Sequence, residues 1–456
     1  MHFKKALVFG LARSGAAAAR LLRLRGAEVT LVDAKTKEAF GGALDDLNVE
    51  GVHWHLGESP ENLLEGMEAM ILSPGIPDTH PAVLKAREMG VEVLGELEYA
   101  YRESTGTLLA ITGTNGKTTT TTLLGEIFKN AGRRAWVVGN IGSPYAAAVP
   151  QMRAGDVTVC EVSSFQLETV SQFHPSVAAV LNVTEDHLNR HGTMEKYIAL
   201  KERVFANCRE KDFVVLNYDD PITRKMAEDV KARVVWFSRT GNPPYGAFVR
   251  EGALCFGTQE NNRTVLSLEE IALPGPHNLE NCLAATAMAL VAGIPSAVVR
   301  HTLKTFRGVE HRLEFVRVLD DVRYINDSKA TNVDSSIWAV RSMTTPTVIL
   351  LGGSYKKADY HPLAREMRKN TNIRQAVLIG LTADAIEQAL RDEGFSEIAR
   401  AGTDFEKAIS MARALAVPGG TVLLSPACAS FDMFQDYEAR GREFKRIVKD
   451  LEPQGA

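Results

Sequence analysis

A lysine set between a glycine and a run of threonines carries the clearest chemical signal in this 456-residue chain. The stretch Leu109-Ala110-Ile111-Thr112-Gly113-Thr114-Asn115-Gly116-Lys117-Thr118-Thr119-Thr120 has the pattern of an apolar strand, a glycine loop and the first turn of a helix. Such a loop turns backbone N–H groups toward anionic oxygens, and the helix N-terminus adds partial positive charge. Lys117 is placed to reach terminal phosphates and Thr118 to ligate Mg2+. ATP is therefore the first ligand expected, held by Gly113, Thr114, Asn115, Gly116 and Thr119 as well. Ile111 stands where the usual pattern has its first glycine, so a threonine-rich strand-to-helix turn without a ligand is the alternative.

A second glycine loop, Gly10-Leu11-Ala12-Arg13-Ser14-Gly15, follows an apolar run and opens a helical pattern. Asp33 ends the next apolar run at about the distance expected of a ribose-binding acid. Ala12 replaces the middle glycine, whose bare backbone normally lets a pyrophosphate approach, so a plain NAD site is weakened. A different nucleotide, or a tight turn with no ligand, remains. Ser73-Pro74-Gly75-Ile76-Pro77 ends another apolar run and would offer hydroxyl and backbone groups at the same crevice, or simply turn the chain.

Acidic and imidazole groups stand at two further strand ends: Glu161 in Val159-Cys160-Glu161-Val162-Ser163-Ser164-Phe165-Gln166, and His187 in Asn182-Val183-Thr184-Glu185-Asp186-His187. Both are expected on the carboxyl edge of the phosphate-loop sheet, where parallel sheets bind their ligands. A carboxylate beside a hydroxyl suits Mg2+, and a histidine suggests a second, less typical ion. Each also has a plain reading, Glu161 as a structural carboxylate and His187 as a helix cap or hydrogen-bond partner. Lys201, Lys329 and Lys356 read in isolation as solvated lysines. Arg312, after His311, would clamp a phosphate or pair with a carboxylate.

The elements that must position these groups follow an alternating pattern. Residues 6–10, 28–33, 69–73 and 91–94 read as strands, with helices over 14–25 and 81–89, which implies a parallel sheet flanked by helices. A second series gives strands at 107–112, 135–138, 157–162, 177–183 and 213–217, a β insertion at 247–250 and 253–256, and helices over 197–207 and 278–292. A third gives strands at 348–351, 376–379 and 421–424. The expected class is α/β in three domains: a Rossmann-like N-terminal domain over 1–96, a central P-loop ATPase-type domain over 97–306 and a Rossmann-like C-terminal domain over 307–456.

Length alone suggests about three domains. With 45% hydrophobic and 24% charged residues and a net charge of −4, the composition is that of an ordinary globular protein without the basic footprint of a nucleic-acid binder. Five widely spaced cysteines without a C-x-x-C pair fit a reducing cytoplasm and no thiolate metal site. No apolar run approaches the roughly 18 residues that span a bilayer.

Read together, residues 113–120, Gly139-Asn140-Ile141-Gly142, residues 161–166 and 184–187, His277-Asn278-Leu279-Glu280-Asn281, His311-Arg312 and Asp327-Ser328-Lys329-Ala330-Thr331-Asn332 resemble the Mur ligase family in order and spacing. Within it, Ser73-Pro74-Gly75-Ile76 and Ser425-Pro426-Ala427-Cys428-Ala429-Ser430-Phe431-Asp432 resemble the members that add D-glutamate to UDP-N-acetylmuramoyl-L-alanine. The resemblance implies ATP-driven amide formation through an acyl phosphate in cytoplasmic peptidoglycan synthesis, by an enzyme expected to be monomeric.

By matching position, it implies Lys117, Thr118, Glu161 and His187 around phosphates and two Mg2+ ions, and a CO2-derived carbamate on Lys201. Lys329 joins Lys117, His187 and Lys201 as a catalytic residue. Asn278, Asn281, Arg312 and Asp327 would contact ATP. Arg13, Ser14, Asp33, Ser73, Pro74, Gly75, Asn140 and Ser163 would hold the UDP substrate, and Thr331, Lys356, Ser430 and Phe431 the D-glutamate, with Lys357 as an alternative to Lys356. A Mur-type ligase for another amino acid and folylpolyglutamate synthase are the nearer rivals. An NAD oxidoreductase leaves residues 327–332 unexplained, and a nucleotide sensor has no need of the metal-centre residues.

Overall fold

The computed structural model describes residues 3–36, 40, 44–354 and 358–453, with the side chains of Asn189 and Asp334 left aside. The chain divides into two compact units, Met1–Phe306 and Arg307–Ala456. The class is mixed α/β with sheets that are mostly parallel.

The first unit holds two sheets. The smaller contains β1 (Lys5–Phe9), β2 (Glu28–Asp33), β3 (Val52–Leu56), β4 (Ala69–Leu72) and β5 (Glu92–Gly95), all parallel, in the order β3-β2-β1-β4-β5. β3 has no counterpart in the sequence reading. Its Val-His-Trp-His-Leu alternation belongs to an edge strand with partly exposed faces, where polar residues mask the apolar signal. The helix Arg13–Leu24 buries the alanines Ala16 to Ala19 between this sheet and the neighbouring helices. Small side chains and high helix propensity bring the backbone close, and a Cβ on Gly15 would lie 1.8 Å from the Gly10 carbonyl oxygen.

The larger sheet contains β6 (Thr107–Thr112), β7 (Ala135–Gly139), β8 (Val157–Glu161), β9 (Val177–Val180), β10 (Phe213–Asn217), β11 (Arg233–Ser238), β12 (Gly246–Arg250), β13 (Ala253–Gly257) and β14 (Asn262–Ser267). Their order is β14-β13-β12-β11-β10-β9-β6-β8-β7. Strands β6 to β12 run parallel, whereas β13 and β14 are antiparallel additions that extend the expected β insertion by one strand. Because β6 lies between β8 and β9, the chain reverses its winding there, and a crevice opens at the carboxyl ends of these three strands. The helices Lys117–Asn130 and Pro276–Val291 share one core, Leu123, Leu124, Ile127 and Phe128 meeting Leu283 and Met288.

The helix Glu96–Glu103 joins the two sheets. Its fully buried Glu98 carboxylate accepts the backbone N–H groups of Ser171 (3.0 Å), Gln172 (2.8 Å) and Phe173 (3.1 Å) and the Arg102 Nε (2.7 Å), so the buried charge is paired and hydrogen-bonded. A single apolar cluster runs through this junction, from Val8 and Leu31 of the first sheet through Leu97 and Tyr99 to Tyr145, Val162 and Phe173 of the second.

The second unit holds one sheet: β15 (Glu314–Leu319), β16 (Val322–Asn326), β17 (Thr347–Gly352), β18 (Ile373–Ile379), β19 (Ile398–Gly402) and β20 (Thr421–Leu424), in the order β15-β16-β20-β17-β18-β19. Only β15 is antiparallel to its neighbour. Asp320 and Asp321 join β15 and β16 with φ of 53° and 58°, the doubly left-handed pattern of a type I′ hairpin. Alternate residues of β17 enter opposite cores, Ile349 and Leu351 one and Val348 and Leu350 the other, so both faces are covered. No helix among the described residues is long and apolar enough to cross a membrane.

Candidate active site

Gly116 sets the candidate phosphate loop after β6. Its φ of 81° lies in the left-handed region, and a Cβ there would stand 2.2 Å from the Asn281 Oδ1. The helix that follows has no side-chain cap and no acid in its first turn, so its leading N–H groups are open to an anion. Lys117 Nζ donates to the carbonyls of Gly113 (2.9 Å) and Thr114 (2.8 Å), folded over its own loop. Thr118 is buried and Thr119 half-buried within that first turn. Asn182, at the end of the adjacent strand, accepts the Asn115 N–H at 2.8 Å and returns a bond to the Asn115 carbonyl at 3.2 Å. Asn281 accepts the Thr120 hydroxyl (3.2 Å) and donates to Asn278 (3.3 Å), which seats the helix Pro276–Val291 against the loop.

Glu161 is paired in register with Ile111 of β6, at the carboxyl end of β8. Its Oε1 accepts Asn140 Nδ2 at 2.8 Å, whereas Oε2 is buried and has no partner among the described residues. A lone carboxylate oxygen withdrawn from water is costly unless a cation or donor completes it. The donor set of Glu161 carboxylate and Thr118 hydroxyl suits a hard cation such as Mg2+. Among the described residues no three His, Cys, Asp or Glu side chains cluster as a metal cage.

His187 caps the short helix Leu188–His191 with φ of 53°, its ring 4.8 Å from that of Phe165 and its Nε2 3.4 Å from Asp186. A left-handed non-glycine residue costs on the order of 1 kcal/mol and gathers at functional loops. Lys201 lies on the helix Met194–Glu202, which starts and ends earlier than the expected 197–207 because Thr193 caps it and the chain turns after Glu202. It is almost fully buried, with Nζ 4.3 Å from the Tyr197 ring centre. Burial, then the nearby Lys117 charge, holds its amine well below the usual lysine range. A lowered pKa favours the neutral, nucleophilic amine, the form to which CO2 would add.

The loops of the smaller sheet converge at its own switch point. Gly10, with φ of 89°, lies so close to the Ser73 turn that a Cβ would stand 2.8 Å from the Ser73 Cβ. Asp33 accepts the N–H groups of Leu11 (2.7 Å) and Lys35 (2.9 Å), shaping the glycine loop from the end of β2. The helix after Ala12 is uncapped, with Ser14 half-buried in its first turn, and Arg13 donates to the Gly142 carbonyl at 2.6 Å beside the Asn140 loop. Pro74 and Gly75 follow in the Ser73 turn, whose Ile76 N–H bonds the Ser73 carbonyl. Ser163 is taken up in a capping box with Gln166.

In the second unit, Asp327 is buried at the end of β16. It accepts the Ser425 hydroxyl at 2.8 Å and the Leu313 N–H at 3.2 Å, and burial pushes its carboxyl up to about 7. Arg312 is exposed between two left-handed residues, His311 and Leu313, and its charge acts on Asp327. The Lys329 N–H bonds the His311 carbonyl, and Thr331 turns back on Lys329. Ser430 is buried with an unpartnered hydroxyl among the described residues, while Phe431 is exposed and its N–H bonds Ser354 at 3.0 Å. Lys356 and Lys357 lie outside the described residues.

Several supporting residues carry no local signal in the sequence. Tyr197 contacts the Thr114 hydroxyl at 3.3 Å, and His191 stacks on Tyr197. Arg440 is fully buried and donates to the carbonyls of Ser328 (2.9 Å), Cys428 (3.1 Å) and Ala429 (3.4 Å), tying the Asp327 loop to the Ser430 loop. Only the three-dimensional partners distinguish these from ordinary core and surface residues.

Three family models match the chain: "Mur ligase MurD-like, N-terminal domain" over residues 4–95, "Mur ligase middle domain" over 111–289, and "Mur ligase, glutamate ligase domain" over 311–428. A protein of Pelotomaculum thermopropionicum is 48% identical over 448 residues, 98% of each chain, and one of Thermoanaerobacter pseudethanolicus is 44% identical over 450 residues, again 98% of each. Both are named UDP-N-acetylmuramoylalanine--D-glutamate ligase. In fold, the chain is similar to MurF ligase from Thermotoga maritima, at 17% identity and a TM-score of 0.56 over 98% of this chain and 95% of that one. With matched domains from one end of the chain to the other and relatives close to half identical over their full length, the chain belongs to the Mur ligase family.

Proposed function

We propose that the chain is an ATP-dependent amide ligase that adds D-glutamate to UDP-N-acetylmuramoyl-L-alanine in cytoplasmic peptidoglycan synthesis. The observation that carries the reading is the buried, unpartnered Glu161 oxygen on the strand next to an uncapped phosphate loop. Its relatives, which bear the name of this reaction, support the choice of acceptor.

A carboxylate does not acylate an amine unaided, because oxide is no leaving group. The carboxylate of the UDP-linked L-alanine attacks the γ-phosphorus of ATP; the bond to the β-phosphate oxygen breaks, giving ADP and an acyl phosphate. The amine of D-glutamate then attacks the acyl carbon, and the tetrahedral intermediate expels phosphate as the nitrogen loses a proton. Two anions must meet in the first step, so Lys117 and the N–H groups of residues 117–119 screen the phosphates. Thr118 and Glu161 would hold one Mg2+ and His187 a second, each neutralising phosphate charge when bound. A carbamate on Lys201 would turn a buried amine into an anion able to hold metal directly or through water. Arg13, Ser14, Asp33, Ser73, Pro74, Gly75, Asn140 and Ser163 hold the UDP substrate. Asn278, Asn281, Arg312 and Asp327 are the residues assigned to ATP, and Lys329 is assigned to catalysis. Thr331, Ser430 and Phe431, with a lysine of residues 356–357, receive D-glutamate.

The experiment is ADP and product formation with ATP, Mg2+ and UDP-N-acetylmuramoyl-L-alanine, offering D-glutamate, L-glutamate, meso-diaminopimelate or lysine. Turnover with D-glutamate alone is expected. Turnover with another amino acid keeps the ligase chemistry and reassigns the pocket of the second unit.

A further inference from the structure

Arg190 spans two loops that the reaction uses separately. It sits on the short helix Leu188–His191, just after His187, yet its guanidinium reaches the smaller sheet. Nη1 donates to the Gly75 carbonyl (3.2 Å), and Nη2 to those of Ile76 (3.2 Å) and Pro74 (3.5 Å). The other side of the fork is held by Glu168, whose Oε2 accepts Nη2 at 2.6 Å and Oε1 accepts Nε at 3.1 Å. Both side chains are largely withdrawn from water, 20% and 8% exposed, so the pair is a fixed strut rather than a solvated surface pair. The Phe165 ring covers the guanidinium at 5.0 Å.

The contacts continue inward. His191 Nδ1 lies 3.6 Å from Glu168, its Nε2 3.0 Å from the Ser164 hydroxyl, and its ring stacks on Tyr197, whose hydroxyl touches Thr114 of the phosphate loop. A continuous file of side chains thus joins the Ser73 turn to the phosphate loop. Three carbonyls drawn to one guanidinium fix the direction in which that turn presents its remaining hydroxyl and N–H groups.

We propose that Arg190, oriented by Glu168, is a positioning residue that holds the Ser73-Pro74-Gly75-Ile76 turn in the conformation that binds the UDP-linked acceptor. The role rests on the reading of that turn as part of the acceptor site. Lysine cannot replace the arginine, because a single ammonium cannot serve a carboxylate fork and three carbonyls in one plane.

The test is steady-state kinetics of the full chain carrying Arg190→Ala, Arg190→Lys or Glu168→Gln, varying ATP and UDP-N-acetylmuramoyl-L-alanine separately. Arg190→Ala is expected to raise the acceptor KM by about tenfold or more while the ATP KM stays within about twofold. Arg190→Lys should fail to restore it, and Glu168→Gln should move it the same way by less. An unchanged acceptor KM, or an equal rise in both KM values, overturns the proposal. Hydrogen exchange of residues 73–77 is a second readout, expected to quicken in Arg190→Ala relative to the parent. Should the parent make no product with this acceptor, the functional reading fails, and exchange then decides the strut alone, unaltered protection overturning it.

Discussion

Lys117 and Lys201 are both lysines of the candidate site, but their surroundings differ: one is hydrogen-bonded to its loop and the other is buried. Lys117 donates to loop carbonyls, which in the proposed reaction it would exchange for phosphate oxygens. Lys117→Ala is expected to abolish turnover while leaving the thermal midpoint close to the parent's; product at a normal rate would remove the loop from the mechanism. Burial holds the Lys201 amine well below the usual lysine range, and its proposed role depends on a carbamate formed there. Lys201→Ala should lose about 10²-fold or more in kcat, with part of the loss restored by a small carboxylate such as acetate, and an unimpaired variant rules out the carbamate. Glu96 gives a pH test outside the site. Its Oε1 accepts the Ala146 N–H at 2.7 Å, its Oε2 has no partner among the described residues, and burial pushes its carboxyl from 4.5 to about 7. Between those values the unfolded chain releases a proton that the folded chain keeps, so this group's contribution to stability falls as pH rises through the window and is flat above it. Glu96→Gln removes the ionisation. Its unfolding free energy relative to the parent should therefore rise between pH 5 and 8, by an amount on the order of 2 kcal/mol, read by denaturant titration. A pH-independent difference would show that Glu96 is ionised throughout.

At the scale of elements, the turns decide which residues can meet. Gly116→Ala combines a left-handed φ with a Cβ 2.2 Å from Asn281, so the loop must move or Asn281 must leave. The expected outcome is an ATP affinity weakened by about tenfold or more with a modest loss of thermal stability; wild-type ATP binding would mean that the loop conformation is not what seats the nucleotide. This loop is legible in the sequence because its signal is local: strand, glycine, lysine and hydroxyls within a dozen residues. Glu161 and Asp33 are legible for the same reason, each closing an apolar run at a strand end. His187 and Lys201 acquire meaning through family resemblance, since an isolated histidine or helical lysine has many uses. Arg190, Glu168, His191 and Arg440 are not legible at all, because their partners lie on other elements, among them the turn after β4 and the loop after β20. The same physics explains the strands that pattern reading passes over. β3, β14, β15 and β19 are edge strands of their sheets and keep polar residues among the apolar ones, so an alternation test sees them as loops, while β16 is passed over although it lies inside its sheet. β11 lies inside the larger sheet, and its Val-Val-Trp-Phe run is open to detection by its β-branched and aromatic content alone.

For the whole molecule, the distribution of apolar clusters determines which pieces can stand alone. The two cores of the second unit draw only on residues beyond Arg307, from Leu319 to Val448, and cover both faces of its sheet. The smaller sheet of the first unit is different. One of its faces belongs to a cluster that also contains Tyr145, Val162 and Phe173 of the larger sheet's half. Cutting at residue 96 would expose that face to water, at roughly 25 cal/mol for each Å² of apolar surface, against a net stability of only about 5–15 kcal/mol for a typical domain. Residues 307–456 expressed alone should therefore unfold in one cooperative transition with a normal circular dichroism spectrum, whereas residues 1–96 alone should be unfolded or aggregated. Residues 1–306 should regain cooperative unfolding and bind ATP without D-glutamate. A stable, monomeric 1–96 fragment would show that the shared cluster is an interface between independent domains, and that the 1–306 unit is held together by docking and not by a common core.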